Sequence, residues 1–200
     1  LCRRLNAQHG KTYYLATLLL PPAKRPYVHA LYGLARYADE LVDDLDCPDP
    51  DELVAWGKRF LDDLRLGDST DPVARAAVHT AATWDIPTEH FEAFLASMRM
   101  DITRTGYETY AELEDYMYGS AAVIGLQMVP ILGPLCGEAF GYAQRLGEAF
   151  QMSNFIRDVA EDLRRGRVYL PQDSLDAFGV TRADLARPEP TDGVRRLLRH

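Results

Sequence analysis

Leu31-Tyr32-Gly33-Leu34-Ala35-Arg36-Tyr37-Ala38-Asp39-Glu40-Leu41-Val42-Asp43 carries two stripes on one helical period. At about 100° per residue, Tyr32, Arg36, Asp39 and Asp43 fall within an arc of roughly 60°. Leu31, Leu34, Ala35, Ala38, Leu41, Val42 and, beyond the quoted run, Leu45 make an apolar stripe beside it. The polar stripe therefore borders the core instead of opposing it. Asp39 and Asp43 stand one turn apart on that border, about 6 Å along the axis.

The motif has an echo. Asp158-Val-Ala-Glu-Asp162 again sets two aspartates at i and i+4, within a helix expected from about Glu138 to Arg165. Gln151, Asn154, Asp158, Asp162 and Arg165 share an arc of roughly 80°, with Met152, Ile156, Val159 and Leu163 alongside. Gly147, one turn before Gln151, would leave room for a ligand. Two such faces at a helix spacing of roughly 8–10 Å would crowd four carboxylates and raise their pKa values. Mg²⁺ relieves that crowding, because it takes hard oxygen ligands and is commonly shared between carboxylates and substrate phosphates. Arg36, Arg157 and Lys11 are candidates for the remaining phosphate oxygens. One DxxxD alone is more often a solvated face. Asp62-Asp63, Asp44 and Glu40 are read that way.

Around these two helices the chain reads as helical throughout. Leu and Ala number fifty against sixteen Val and Ile, a balance that favours helix over strand. Pro21-Pro22 separates a first helical stretch from one over about 24–46, and the run 46–51 reads as a loop. Helices are expected over about 52–66, from Asp71-Pro72 onward, over 88–100, and from Tyr107 to Tyr118. The small-residue run Gly119-Ser-Ala-Ala122 follows, and Gly166 ends the second acidic helix before an extended Arg167-Val-Tyr-Leu-Pro171. The fold class is all-α. Residues 1–200 are expected to form one domain whose C-terminal helices are missing, since the chain opens on Leu1 and stops at His200 within a helical pattern.

A net charge of −8 argues against a nucleic-acid surface and implies that an anionic substrate is met through cations. Three cysteines without CxxC spacing indicate neither a disulfide framework nor zinc. The apolar stretch 121–135 contains Gln127, Pro130 and Pro134 and falls short of a membrane span. A cytoplasmic setting is expected, with at most peripheral membrane contact.

Four runs then occur in a familiar order: Lys11-Thr-Tyr-Tyr14, Ala30 through Asp43, Tyr116-Met-Tyr-Gly-Ser-Ala-Ala122, and Gln151 through Asp162 followed by Arg167-Val-Tyr-Leu-Pro171. Over nearly its whole length the chain resembles the squalene/phytoene synthase family of head-to-head prenyl transferases, and its wording is most similar to bacterial phytoene synthases. The resemblance implies an all-α isoprenoid synthase-type bundle around a central cavity. It implies that Asp39, Asp43, Asn154, Asp158 and Asp162 ligate Mg²⁺. Tyr32, Arg36, Gln151 and Arg157 would line the diphosphate sites together with His9, Lys11 and Thr12, and Tyr118 would face the site. Ala122 stands where the family usually has Gly, so a methyl group would narrow the cavity.

The implied reaction joins two prenyl diphosphates, most simply two geranylgeranyl diphosphates, through a cyclopropylcarbinyl diphosphate to phytoene. Tyr32, Arg36, Asp39, Asp43, Asp158 and Asp162 would carry the chemistry. Squalene or dehydrosqualene synthesis from farnesyl diphosphate is the alternative, with NADPH needed only for a squalene-type outcome. No GxGxxG fingerprint supports a nucleotide site. Tyr13, Tyr14, Tyr116 and Phe155 could show aromatic faces to a cation, although each would serve equally as core. A catalytically inactive lipid-diphosphate-binding subunit is the non-enzyme alternative. A di-iron bundle would need Glu-x-x-His pairs, and no histidine here has Glu three residues before it.

Overall fold

The computed structural model describes residues 1–43 and 50–199, and of Asp43 its backbone alone. Twelve α-helices and one π-helical turn are formed among them. They are α1 (Cys2–His9), α2 (Lys11–Leu18), α3 (Arg25–Asp43), α4 (Pro50–Leu66), α5 (Pro72–Thr83) and α6 (Thr88–Thr103). After α7 (Tyr110–Met117) comes the π-turn (Tyr118–Ala122). It leads into α8 (Val123–Leu132), α9 (Glu138–Arg164), α10 (Gln172–Ala177), α11 (Arg182–Leu185) and α12 (Asp192–Leu197). The sole β pairing among the described residues is an isolated parallel bridge between Gly106 and Val168. The all-α expectation holds.

Helix starts follow local chemistry. Asp71 caps α5 by accepting from the Val73 and Ala74 amides at 2.8 and 2.9 Å, with Pro72 at the position where a missing N–H costs nothing. Thr181 and Asp184 close a reciprocal capping box on α11. The loop expected over 46–51 lies outside the described residues up to Asp49, and α4 begins at Pro50.

The first helical stretch is two helices instead of one. They break at Gly10, where a β-carbon would lie 2.7 Å from the Tyr32 ring and from Asn6 Oδ1. Glycine lets the corner seat directly on α3.

The main core is built by α3, α4, α5, α6 and α8. Leu34, Ala38, Leu53, Phe60, Ala77, Phe91, Leu95 and Val123 lie at its centre. The apolar stripe read along 31–42 thus faces inward, with Leu41 and Val42 packed at the margin. Fully burying a side chain of Leu or Phe size stabilises the fold by roughly 1.5–3 kcal/mol, so α3 is anchored by the stripe adjoining its polar one. A second cluster gathers Leu170, Leu175, Val180, Leu185, Val194 and Leu197 over the C-terminal helices, and Val159 and Leu163 of α9 pack against it. A third holds Tyr107, Leu113, Tyr116, Met117 and Phe155.

Two close approaches set α9 against its neighbours. A β-carbon on Gly125 would meet the Ala143 carbonyl at 2.4 Å, and one on Gly147 the Ala121 carbonyl at 2.6 Å. Gly147 therefore serves helix contact, and it also lines the hollow between α8 and α9, where the missing side chain leaves space. Ala122 is fully buried in packing, so its methyl group fills core and not cavity.

Candidate active site

Three connected hollows meet beside the π-turn. The first is a bay of about 240 Å³ lined by Tyr32, Ala35, Arg36 and Asp39 of α3, Phe94 and Met98 of α6, Tyr116, Ser120, Ile124 and Gln151. The second, of about 470 Å³, runs between α1, α2, α3 and α8 and is walled by Tyr13, Thr17, Leu31, Tyr32, Ile124, Met128 and Leu132. The third, of about 340 Å³, opens between α8 and α9, where Leu146 and Phe150 face Ile124, Met128 and Leu132. Ser120 and Ile124 line all three. One charged bay thus gives onto two apolar lobes.

The α3 side of the bay is pre-wired. Arg36 donates through Nε to Glu40 at 3.0 Å and approaches Asp39 at 3.5 Å, while His9 Nε2 lies 3.9 Å from the same Glu40 oxygen. Pairs this exposed contribute at most a few tenths of a kcal/mol each, so they fix orientation more than they stabilise. Glu40 is therefore part of the network that ties the α1 corner to α3, and not a purely solvated residue. Its i+4 spacing from Arg36 was the available signal. Tyr32 is half-buried, and burial above all, with the Asp39 and Glu40 charges, raises its pKa against the lowering by Arg36. It faces the bay as a neutral phenol. Lys11 and Thr12 are exposed in the first turn of α2, which has no side-chain cap.

On α9, Gln151 and Asn154 line the lobe, and Gln151 also reaches the bay. Arg157 clasps Asp158 with Nε and Nη2 at 2.7 and 2.6 Å, and this bonding lowers the Asp158 pKa. Asp162 differs. Burial first, then the Asp158 and Glu161 charges, push it up to about 6 against Arg165 and Arg167. Among the described residues no three acidic, histidine or cysteine side chains gather around one point, and of the expected four carboxylates Asp39, Asp158 and Asp162 are described. Asp39 has Arg36 and Asp158 has Arg157, so neighbouring arginines take up charge locally. The Asp43 side chain lies outside the described residues.

Asp39, Asp158, Asp162 and Asn154 remain as two separate ledges of hard oxygen donors, on α3 and on α9. That donor set fits Mg²⁺, which is usually held by one or two carboxylates with phosphate completing the shell. Of the two tyrosines flanking Met117, Tyr116 lines the bay, whereas Tyr118 is 42% exposed. Residues two apart on a helix point about 200° from each other, so the pair cannot share one face. Tyr13 lines both lobes, its ring 6.3 Å from that of Tyr32, while Tyr14 stacks on His29. Asp101 went unread in the sequence, since it belongs to no periodic polar stripe, and Ser120 was legible only as part of the small-residue run.

An all-α bundle with paired acidic helices flanking a charged bay and apolar lobes defines an isoprenoid synthase-type fold. A sequence profile described as Squalene/phytoene synthase matches residues 6–200. The chain belongs to the squalene/phytoene synthase family. It is 37% identical over 213 residues to a 15-cis-phytoene synthase of Synechocystis sp., covering 100% of this chain and 63% of that protein. It is 36% identical over 206 residues to a chloroplastic phytoene synthase of Daucus carota, covering 99% of this chain and 52% of that one. Among solved structures, a dehydrosqualene synthase in complex with ligand superposes with a TM-score of 0.90 at 30% identity, covering 99% of this chain and 69% of that one. A squalene synthase HpnC from Alicyclobacillus acidocaldarius gives 0.88 at 32%, covering 99% and 75%. The chain thus spans roughly half to two thirds of the two phytoene synthases.

Proposed function

We propose that this chain forms most of one isoprenoid synthase domain that condenses two prenyl diphosphates head to head, releasing pyrophosphate. The preferred substrates are two geranylgeranyl diphosphates and the product phytoene, by way of prephytoene diphosphate. The observation that carries this reading is one charged bay opening onto two apolar lobes that share Ser120 and Ile124. Two prenyl chains can lie in the lobes with their diphosphate ends converging at the bay. Similarity to phytoene synthases favours the C20 substrate.

Magnesium, held by Asp39 and Asp43 on one side and by Asn154, Asp158 and Asp162 on the other, would supply positive charge for the departing diphosphate. Arg36 is turned toward the same bay and can add a fixed guanidinium to a phosphate oxygen. Tyr32, kept neutral, donates a hydrogen bond there, and Gln151 offers an amide from the facing helix. His9, Lys11 and Thr12, at the α1–α2 corner, would extend the phosphate-binding surface. Arg157, bonded to Asp158 in the substrate-free protein, would exchange that carboxylate for a phosphate when substrate arrives. The lobes have almost no polar lining beyond the two tyrosines, Asn6, Thr17, Ser120, Gln151 and Asn154, a lining suited to prenyl chains.

The test is product analysis. The full-length protein is incubated with geranylgeranyl or farnesyl diphosphate and Mg²⁺, with and without NADPH. Phytoene from the C20 substrate without NADPH is the expected result. Likeness to a dehydrosqualene synthase and a squalene synthase supports a second reading, in which farnesyl diphosphate gives a C30 product. No consumption of either substrate would leave a binding subunit as the function.

A further inference from the structure

Asp101, near the end of α6, accepts hydrogen bonds from two tyrosines that come from different parts of the chain. The Tyr116 hydroxyl donates to Oδ2 at 2.8 Å and the Tyr169 hydroxyl to Oδ1 at 2.9 Å. Arg167 donates to the Asp101 backbone carbonyl at 2.9 Å, fixing the segment that brings Tyr169 back from α9. Tyr169 stacks on Phe155 at 4.3 Å, and Tyr116 packs beside both. Tyr116 is 3% exposed, yet it also lines the charged bay.

A carboxylate with charge-assisted bonds to two phenols is an expensive thing to half-bury unless both bonds are made. Its cost is met here, and the result is directional. The Tyr116 oxygen is committed to Asp101, so that the group left to face the bay is ring carbon. A phenol that donates to a carboxylate also gains electron density on its ring, which strengthens attraction to a nearby cation.

We propose that Asp101 is a positioning residue, which holds the Tyr116 hydroxyl away from the bay and leaves an electron-rich ring face beside the reacting chain. This inference rests on the prenyl-coupling reading. A hydroxyl loose in the bay would be a nucleophile able to capture a carbocation, and Asp101 removes it. Burial and Asp101 raise the Tyr116 pKa far above its ordinary value, so the phenol stays protonated and donates. Tyr169 shares the carboxylate but is absent from the lining of the bay, so its bond anchors Asp101 and is not aimed at substrate.

The test is steady-state kinetics of the full-length protein with geranylgeranyl diphosphate and Mg²⁺. Asp101→Asn is expected to lower kcat about tenfold, the scale of one cation–π contact, with KM within about twofold. In a Tyr116→Phe background the same substitution is expected to change kcat by less than about twofold, because the hydroxyl it positions is gone. A purely structural Asp101 would lose activity equally in both backgrounds, and that result overturns the assignment. So does an Asp101→Asn enzyme with unaltered kcat. Should Asp101→Asn fail to fold, Asp101→Glu keeps the charge and displaces it by one methylene. It is expected to lower kcat and spare KM, and unaltered kcat in it overturns the proposal. A wild type that consumes no prenyl diphosphate removes the coupling reading and this inference together. An active wild type indifferent to Asp101 removes the inference alone.

Discussion

The Asp158 carboxylate is gripped on both oxygens by the guanidinium of its own neighbour, Arg157, at 2.7 and 2.6 Å. Adjacent residues on a helix point in different directions, so the long Arg157 side chain must fold back to make this contact. A cation that binds Asp158 has to displace it. Arg157→Gln is therefore expected to tighten Mg²⁺ binding to the substrate-free protein, by about two- to fivefold for so exposed a pair. The KM for prenyl diphosphate should rise in the same variant, because Arg157 is then no longer there to meet phosphate. Calorimetric titration with Mg²⁺ alone, set beside the kinetics, checks both directions.

The aspartates on the two ledges should matter for turnover and little for the fold. Asp39 has a half-exposed side chain, and Asp158 stands on a helix that buries a single residue fully, Phe155. Asp39→Ala and Asp158→Ala are expected to abolish product formation while changing stability by no more than about 0.5 kcal/mol. Asp62→Ala serves as the control, since Asp62 is exposed and bonded to Arg65 at 2.8 Å across one turn. It should leave activity intact. Full magnesium-dependent activity in either ledge variant would sink the metal assignment.

Both acidic helices were legible because their polar stripes adjoin an apolar one at constant spacing. That pattern survives as long as a helix stays regular. Where regularity fails, the reading failed too. The π-turn at Tyr118–Ala122 adds a residue to one turn, so the faces of α7 do not carry over to α8 in a constant period. The α1–α2 break at Gly10 was invisible because its cause is the ring of Tyr32, twenty-two residues further on. The Asp101 clasp joins α6, α7 and the segment after α9 across sequence separations of fifteen and sixty-eight. No local period can announce such a contact. Glu40 was legible as an i+4 partner of Arg36, but its second neighbour His9 was not.

Acid sensitivity should have a definite source in His29. It is buried between α1 and α3, its Nδ1 3.0 Å from the Asn6 amide, with Tyr14 stacked on its ring. Burial first, then the Arg3 and Arg25 charges, lower its pKa from the ordinary 6.5. The unfolded chain therefore takes up a proton at a pH where the folded chain still resists it. Stability from this residue is complete above about pH 6.5 and is lost as the pH falls below that. His29→Gln, which cannot titrate, should flatten the decline in Tm between about pH 7 and 5.5. An unchanged slope would place the acid-labile group elsewhere, with His90, also lowered by burial, next in order.

Gly119 is the tightest point of the π-turn. A β-carbon there would fall 2.2 Å from both the Ala93 carbonyl oxygen and Ser97 Oγ, and one of these is backbone that cannot rotate away. Ser97 Oγ also donates to the Tyr116 carbonyl at 2.8 Å, so the two segments are already fastened at this spot. Gly119→Ala must push α6 from the turn and is expected to cost about 1–3 kcal/mol, read as a Tm lower by several degrees. Gly137, whose β-carbon would meet nothing, provides the neutral comparison.

Substrate length should be read off one face of the π-turn and α8. Ser120, Ile124, Met128 and Leu132 recur every fourth residue, and together they run from the charged bay to the far end of the lobes. Twelve residues at about 1.5 Å each make a ledge of roughly 18 Å. Met128 lies two thirds of the way along it and lines both lobes, so a larger side chain there shortens both at once. Methionine can be replaced without leaving a polar group stranded, and it adapts its shape to an irregular gap. Met128→Trp is therefore expected to reduce kcat/KM for geranylgeranyl diphosphate about tenfold or more while leaving farnesyl diphosphate within about threefold, the scale on which apolar pockets discriminate. Leu132→Trp, one turn further out, should discriminate less. Competition assays with both diphosphates present would resolve the order. Equal losses on both substrates would mean that the chains do not run along this face, and that the lobes are entered from another direction.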